Sequence, residues 1–441
     1  MPTRNGFPYA EIEFDATGKF PVAQLAGVLA TLRTPGVTDV VFLSHGWNND
    51  IKEARTWYGE YLAFLRSELE SGGVGGVAGR TLAIVAIFWP SKKYADAELK
   101  PGNFHAIGAP VTTASLTQQL ALLSTAFTDT ESKANLAAAT TLIDRLETDV
   151  AAQRRFIDLL RGFWVTGKPG SDALPVAGAT TPGDQLLAVL APPVLDLPTG
   201  ATSGGGAATL GRRQAVAPAD GGGANLLGSI LEGARNALNM TTFFTMKARA
   251  GVVGAHGVAV VIARVQREMP SRKVHLAGHS FGGRVLISAV NALPNADAHR
   301  VQSLFLMQAA FSHYGMAQKY DGTSNGRFRP VIEERKVSGP IYITYTAKDK
   351  AVGLAYALAS RLGGQVASGL GDANDMYGGI GRNGAQRTPE VTPLRLLPAT
   401  GSYAFAPRGV YNLDASDVIT GHSDICRIEV AHALASAIAS C

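Results

Sequence analysis

The sequence predicts an α/β protein, an open and mostly parallel sheet covered by helices on both faces. Strand-like apolar runs recur along the chain, segments of helical period separate them, and one strand-turn-helix junction carries a glycine-flanked serine. Residues 10–14 alternate as an opening strand does. Residues 40–43 and 81–88 are apolar and rich in β-branched residues, as strands buried on both faces are. Residues 274–277 lead into the junction, and Ser303–Met307, Ile341–Tyr345 and residues 410–413 supply three later strands. Between them, Ile51, Ala54, Tyr58, Leu62, Leu65 and Leu69 recur along one helical face, and residues 421–438 read as a loop end followed by a closing helix. Gly72-Gly73-Val74-Gly75-Gly76 is a turn after a helix. A strand follows it, so it is no dinucleotide fingerprint.

Residues 92–239 break this rhythm. They read as a helical insertion of cap type that divides a core made of residues 1–91 and 240–441. Residues 115–127 and 131–163 look like two helices, the second with Leu142, Leu146, Val150, Phe156 and Leu160 near one face. Residues 168–225 are rich in glycine, proline and alanine, a composition that buries little, and they read as loop. Leu226, Leu227, Ile230, Leu231 and Leu238 then resume a helical stripe, followed by Phe243 and Phe244. The stripe reads either as a lid or, in preference, as a cap helix packed on the core.

Composition excludes several classes. A net charge of +5, from 40 basic and 35 acidic residues, is small for 441 residues, and no Lys/Arg run is present, so nucleic acid is not an expected partner. Cys426 and Cys441 offer no disulfide framework. The N-terminal residues lack the apolar core of a signal peptide, and no uninterrupted apolar run reaches the ~18 residues of a membrane span. The expectation is a soluble cytoplasmic protein, with no more than transient contact at a membrane surface.

The junction reads Gly278-His279-Ser280-Phe281-Gly282. Strand, sharp turn and helix are the setting of a nucleophile elbow, with the glycines required where the backbone is tight. Ser280 would stand exposed at the tip of the turn. A serine hydroxyl needs a general base within hydrogen-bond reach, and the base needs an orienting carboxylate. His422 follows the last strand and precedes the closing helix, which is where the base belongs. His432 falls inside that helix, and His299 and His313 come too early. Asp349, in the loop after Ile341–Tyr345, is the expected acid, although Asp also serves as a helix N-cap. Asp414 and Asp417 compete with it, and Asp372 and Asp375 are weaker candidates. An oxyanion needs preorganised donors, expected at the amides of Phe281 and of Trp47, with Gly46 permitting the turn after residues 40–43. His45 and His279 are read as supports for their loops.

These residues resemble the motif set of a bacterial serine hydrolase and esterase family within the α/β-hydrolase superfamily. His45-Gly46-Trp47-Asn48-Asn49 matches its H-G-aromatic-N-N loop and Ile87-Phe88-Trp89-Pro90-Ser91 its F-x-W-P-S strand end, with Ile87 in place of Phe. The serine junction matches its G-H-S-[MF]-G elbow, and Asp349-Lys350-Ala351-Val352 its D-[KR]-A-[LV] acid loop. The glycine-rich loop Tyr377-Gly378-Gly379-Ile380-Gly381-Arg382 and the Gly421-His422-Ser423 turn also fit it. The resemblance implies an α/β-hydrolase fold with Ser280, Asp349 and His422 as a catalytic triad. The long insertion departs from the family and bears on the substrate, because inserts shape the pockets.

The function expected on these grounds is hydrolysis of carboxylic esters, lipid esters included, through an acyl-enzyme and without a metal or organic cofactor. A peptidase or amidase with the same triad, and a non-catalytic binding module on the same fold, are the alternatives.

Overall fold

The computed structural model describes residues 2–91, 111–191, 223–362 and 373–441. Among these residues the central sheet has nine strands: β1 (Thr3–Arg4), β2 (Phe7–Glu13), β3 (Asp39–Ser44), β4 (Leu82–Phe88), β5 (Lys273–His279), β6 (Ser303–Met307), β7 (Ile341–Tyr345), β8 (Val391–Arg395) and β9 (Val410–Asp414). They lie in the order β1-β2-β4-β3-β5-β6-β7-β9-β8. The two-residue β1 runs antiparallel to β2, and every other pairing is parallel. The α/β class and the mostly parallel sheet read from the sequence are what the structure shows.

The apolar runs have two faces because side chains alternate along a strand. Val40 and Phe42 of β3, Val85 and Ile87 of β4 and Leu276 of β5 join one core. Val41, Leu43, Ile84, Ala86 and Ala277 join the other. The first core is covered by the helices Val22–Leu32, Gly223–Val252, Ala259–Glu268 and Phe281–Ala292, together with the insertion. The second is covered by Ile51–Ser71 and Ile428–Ala439. Local signals set these helices. Asp50 and Glu53 form a reciprocal capping box at the start of Ile51–Ser71, and Gly72 ends it at φ 69°.

Two strands escape the sequence pattern. β1 is too short to show a period. β8 is a mostly exposed edge strand that contains Pro393, a residue tolerated at an edge and absent from central strands.

The insertion departs from its sequence reading in two places. Residues 131–163 are two helices, Thr130–Thr140 and Val150–Arg161, because Asp149 accepts the Ala151 and Ala152 amides and caps a new start. Residues 168–191 are not all loop. The helix Gly183–Leu190 buries Leu186, Leu187 and Leu190, and its Leu187 carbonyl sits where a Cβ on Gly233 would be, 2.2 Å away. The rest of that glycine-rich segment, residues 192–222, lies outside the described residues. Helix Gly223–Val252 runs unbroken across position 240. A π-helical segment, Val253–Val258, joins it to Ala259–Glu268. Among the described residues, Ile230–Glu268 is the one stretch long and apolar enough to cross a membrane. Half of its most apolar window is buried inside the protein.

At the amino end of β3 the Asp39 carboxylate is fully buried. It accepts from His275 Nε2 at 3.0 Å, Thr38 Oγ1 at 2.6 Å and Arg80 Nε at 2.9 Å. Burial works to raise this carboxyl, and the bonds from His275, Arg80 and Thr38 overcome it, so it lies well below the usual carboxylate range. Its stabilising contribution is therefore present above about pH 4 and is lost as pH falls toward the folded-state value. Asp39→Ala leaves Arg80 and His275 without their partner and is expected to lower the unfolding free energy by about 3–5 kcal/mol. Denaturant unfolding checks this. The variant should also lose less stability than wild type between pH 5 and 3, and an acid limb as steep as wild type's contradicts the assignment.

Candidate active site

β3 and β5 are neighbours, yet the chain leaves β3 toward β4 on one side and β5 toward β6 on the other. The order reverses between them, and the loops leaving their carboxyl ends diverge around a crevice. Ser44 pairs in register with Gly278 at that end, so the loop of residues 45–50 and the junction 278–282 emerge side by side.

Ser280 sits at φ 55° and ψ −124°, outside the regions a serine ordinarily occupies. Its backbone is held on both sides. The Ser280 amide donates to the Met307 carbonyl at 3.0 Å, and its own carbonyl accepts from Ala310 and Gly283, each at 3.1 Å. The flanking glycines are forced by space. A Cβ on Gly282 would lie 2.1 Å from the Ser44 carbonyl oxygen, and one on Gly278 would lie 2.6 Å from the Gly282 backbone.

Three side chains from three strand ends meet here. His422 Nε2 is 2.8 Å from Ser280 Oγ, and its Nδ1 is 2.8 Å from Asp349 Oδ2. Asp349 is fully buried after β7, and its Oδ1 accepts the Val352 amide at 3.0 Å. It therefore caps helix Lys350–Leu362 and binds His422 at once, so its two sequence readings coexist. Arg382 donates to the carbonyls of Ala347 and Asp349 and pins the loop between them. The His422 loop is clasped in turn. The His422 carbonyl accepts from His279 Nε2 at 2.9 Å, and Asp424 takes bonds from Thr420 and Arg427 at its foot.

The competing residues lie elsewhere. His432 is buried between Glu68, at 2.8 Å, and the Gly401 carbonyl, at 3.0 Å. His313 lies beside Asn383. Asp417 pairs with Arg395, Asp414 accepts the Ser416 amide and Asp375 accepts the Tyr377 amide. Asp372 lies outside the described residues.

Phe281 opens helix Phe281–Ala292, where the first amides have no acceptor within the helix. Gly46 passes directly beside the serine, since a Cβ there would lie 2.9 Å from Ser280 Cβ and 3.0 Å from His279 Nδ1, and Trp47 follows it. This loop is anchored to the end of β4. Trp89 stacks on His45 at 5.8 Å and donates from Nε1 to the His45 carbonyl at 3.0 Å. The Asn48 amide donates to the Ser91 carbonyl at 3.1 Å, and Ser91 Oγ donates to the Asn49 carbonyl at 2.8 Å. The Tyr58 hydroxyl accepts the His45 amide at 3.0 Å. The residues 45–49 and 89–91 thus hold each other in place.

Burial takes the His45 imidazole down to about 4. Burial, and then repulsion from His422, takes His279 down to about 3. Each ring is therefore held toward its neutral form, His45 beside the Gly46 carbonyl and His279 beside the His422 carbonyl. Trp47 is half-buried, its ring 6.0 Å from Phe281 and 6.4 Å from Phe243, while Phe243 and Phe281 lie 4.9 Å apart. Leu231, Leu238, Phe243 and Phe244 are buried in the core, so this part of the apolar stripe is packed. Tyr58 and Arg382 escape sequence reasoning as site residues. Tyr58 falls on the apolar face of its helix, and the one signal for Arg382 is its place in the glycine-rich motif.

Among the described residues no group of three or more His, Cys, Asp or Glu side chains is placed to hold a metal ion. Comparison of the chain with protein-family models, with curated proteins and with solved structures gives no match in any of the three.

In labelled protein, the ring nitrogens of His45 and His279 are expected to keep the chemical shifts of neutral imidazole from pH 6 to pH 9. Titration of either ring inside that window contradicts their assignment as uncharged supports.

Proposed function

We propose that the protein is a serine hydrolase of α/β-hydrolase fold that cleaves carboxylic esters through an acyl-enzyme. The observation that carries this reading is the hydrogen-bonded chain from Ser280 Oγ through His422 to the buried Asp349, at the switch point of the sheet.

In the proposed reaction, Ser280 Oγ attacks the ester carbonyl carbon while His422 Nε2 takes its proton. The carbonyl oxygen becomes an oxyanion, to which the amides of Phe281 and Trp47 donate. Asp349 accepts from His422 Nδ1, keeps the ring in the productive tautomer and balances the imidazolium. His422 then gives the proton to the leaving alcohol as the carbon–oxygen bond breaks. A water, deprotonated by the same nitrogen, attacks the acyl carbon and releases the acid and free Ser280. The neutrality of His279 suits this scheme, because a cation there would face the imidazolium at a ring distance of 4.9 Å.

Wild-type protein is expected to hydrolyse p-nitrophenyl esters in a series from acetate to palmitate, with the optimum reporting the depth of the acyl pocket. Ser280→Ala should reduce turnover by at least ~10³-fold, and Asp349→Asn by about 10⁴-fold through loss of the productive tautomer. Turnover of p-nitroanilides in place of esters moves the scissile bond to an amide. Absence of both activities, with no labelling of Ser280 by a fluorophosphonate, overturns the hydrolase reading in favour of a binding module.

A further inference from the structure

A second buried charge cluster lies beneath the elbow, on the insertion side. Asp172 stands in the loop that the pairing of Thr166 with Leu174 closes, at φ 66°, directly after the 3₁₀ turn Pro169–Ser171. Its carboxylate is inaccessible to solvent. Oδ1 is 2.5 Å from Lys247 Nζ and accepts the Ser312 amide at 2.8 Å, and Oδ2 is 3.0 Å from Arg284 Nε. Lys247 Nζ also donates to the Tyr356 hydroxyl at 2.8 Å.

Each of these partners comes from a different element, and each element bears on the site. Arg284 is on the helix that opens after Ser280, and its amide reaches the Ser280 carbonyl at 3.4 Å. Tyr356 is on the helix that Asp349 caps. Ser312 lies on the segment whose Ala310 amide holds the Ser280 carbonyl. Lys247 is one turn beyond Phe243, the ring packed on Phe281. The insertion thus supplies one carboxylate on which the elements bearing the nucleophile and the acid converge. Among the described residues, Asp172 is also the acidic side chain that pairs with both of the buried cations Lys247 and Arg284. Those cations lie over aromatic rings, Lys247 at 4.9 Å from Phe244 and Arg284 at 4.7 Å from Phe328, and among the described residues neither forms an ion pair with a second acidic side chain.

We propose that Asp172 is a positioning residue. From the insertion, it fixes the helix that opens after Ser280 against the helix that follows Asp349. This role rests on the hydrolase reading above. It makes the insertion a working part of the site.

The test is the inactivation of the full chain by a small fluorophosphonate, with the maximal rate and the half-saturating concentration measured separately and unfolding followed by circular dichroism. Asp172→Asn keeps the side chain's shape and leaves two buried cations without a counter-charge. It should lower the maximal rate by about 10–100-fold, as small misplacements of reacting groups do, with little change in half-saturation and with the chain still folded. Adding Lys247→Met removes one cation and should recover part of that rate. Tyr356→Phe, a milder change, should lower the maximal rate several-fold by the same route. A wild-type maximal rate in a folded Asp172→Asn, accompanied by a lower melting temperature, reduces Asp172 to a purely structural role and overturns the proposal. If Asp172→Asn does not fold, a wild-type rate in Tyr356→Phe overturns it equally. Failure of wild type itself to react defeats the hydrolase reading first, and this role with it.

Discussion

A carbonyl oxygen that leaves no room for a methyl group governs the site. The Ser44 oxygen, at the end of β3, occupies the space that a side chain on Gly282 would need. Two strand ends can meet this closely only because the junction after β5 is built from glycines at the points of contact. Other features of the site follow from that approach. Gly46 passes against Ser280, His279 is wedged between Gly46 and the His422 carbonyl, and the base loop leans on the elbow it serves. The unusual backbone angles of Ser280 persist because Met307, Ala310 and Gly283 hold its peptide groups from both sides.

Besides Asp349, buried carboxylates pair with basic side chains in other parts of the described structure. Asp39 with His275 and Arg80 lies at the amino ends of the strands. Glu68 with His432 joins the two helices of the second face, and Asp172 joins the insertion to the first face. Apolar replacements of matched shape are often as stabilising as a buried ion pair, whereas removal of one partner is costly. The presence of such pairs is therefore weak evidence of net stabilisation. Asp39 and His275 are far apart in sequence, as are Glu68 and His432, so each pair ties together elements that the chain itself does not hold adjacent.

How much of this was legible in the sequence depends on how local the cause is. The buried strands announce themselves because both of their faces are apolar, and the elbow because its glycines and serine fall within five residues of one another. His422 and Asp349 are readable from chain order, since a strand-end loop places them whatever the rest of the fold does. Asp149, which splits one expected helix into two, acts locally as well, but its signal lies inside a longer apolar period that masks it. β8 is hidden for a different reason, because an edge strand needs no apolar pattern and tolerates Pro393. The partners of Asp172 cannot be read from the chain at all. Five segments meet there, and no spacing rule relates positions 172, 247, 284, 312 and 356. Leu186, Leu187 and Leu190 show the limit of compositional reading, since a glycine- and proline-rich segment can still contain one short helix with a fully buried face.

The π-helical segment Val253–Val258 has a consequence for the modularity of this protein. The helical run through it begins in the insertion and ends in the sheet-covering layer, with no loop between. At Gly254 that run presses on the elbow helix so closely that a Cβ would stand 2.1 Å from the Val285 carbonyl oxygen. At Gly257 it meets the turn at Gly18 in the same way. On its carboxyl side the insertion therefore has no loop boundary. It cannot be excised or exchanged as a cassette, because its last helix is also the first layer over the sheet, and a descendant that shortened it would have to invent a new helix start in the middle of the core.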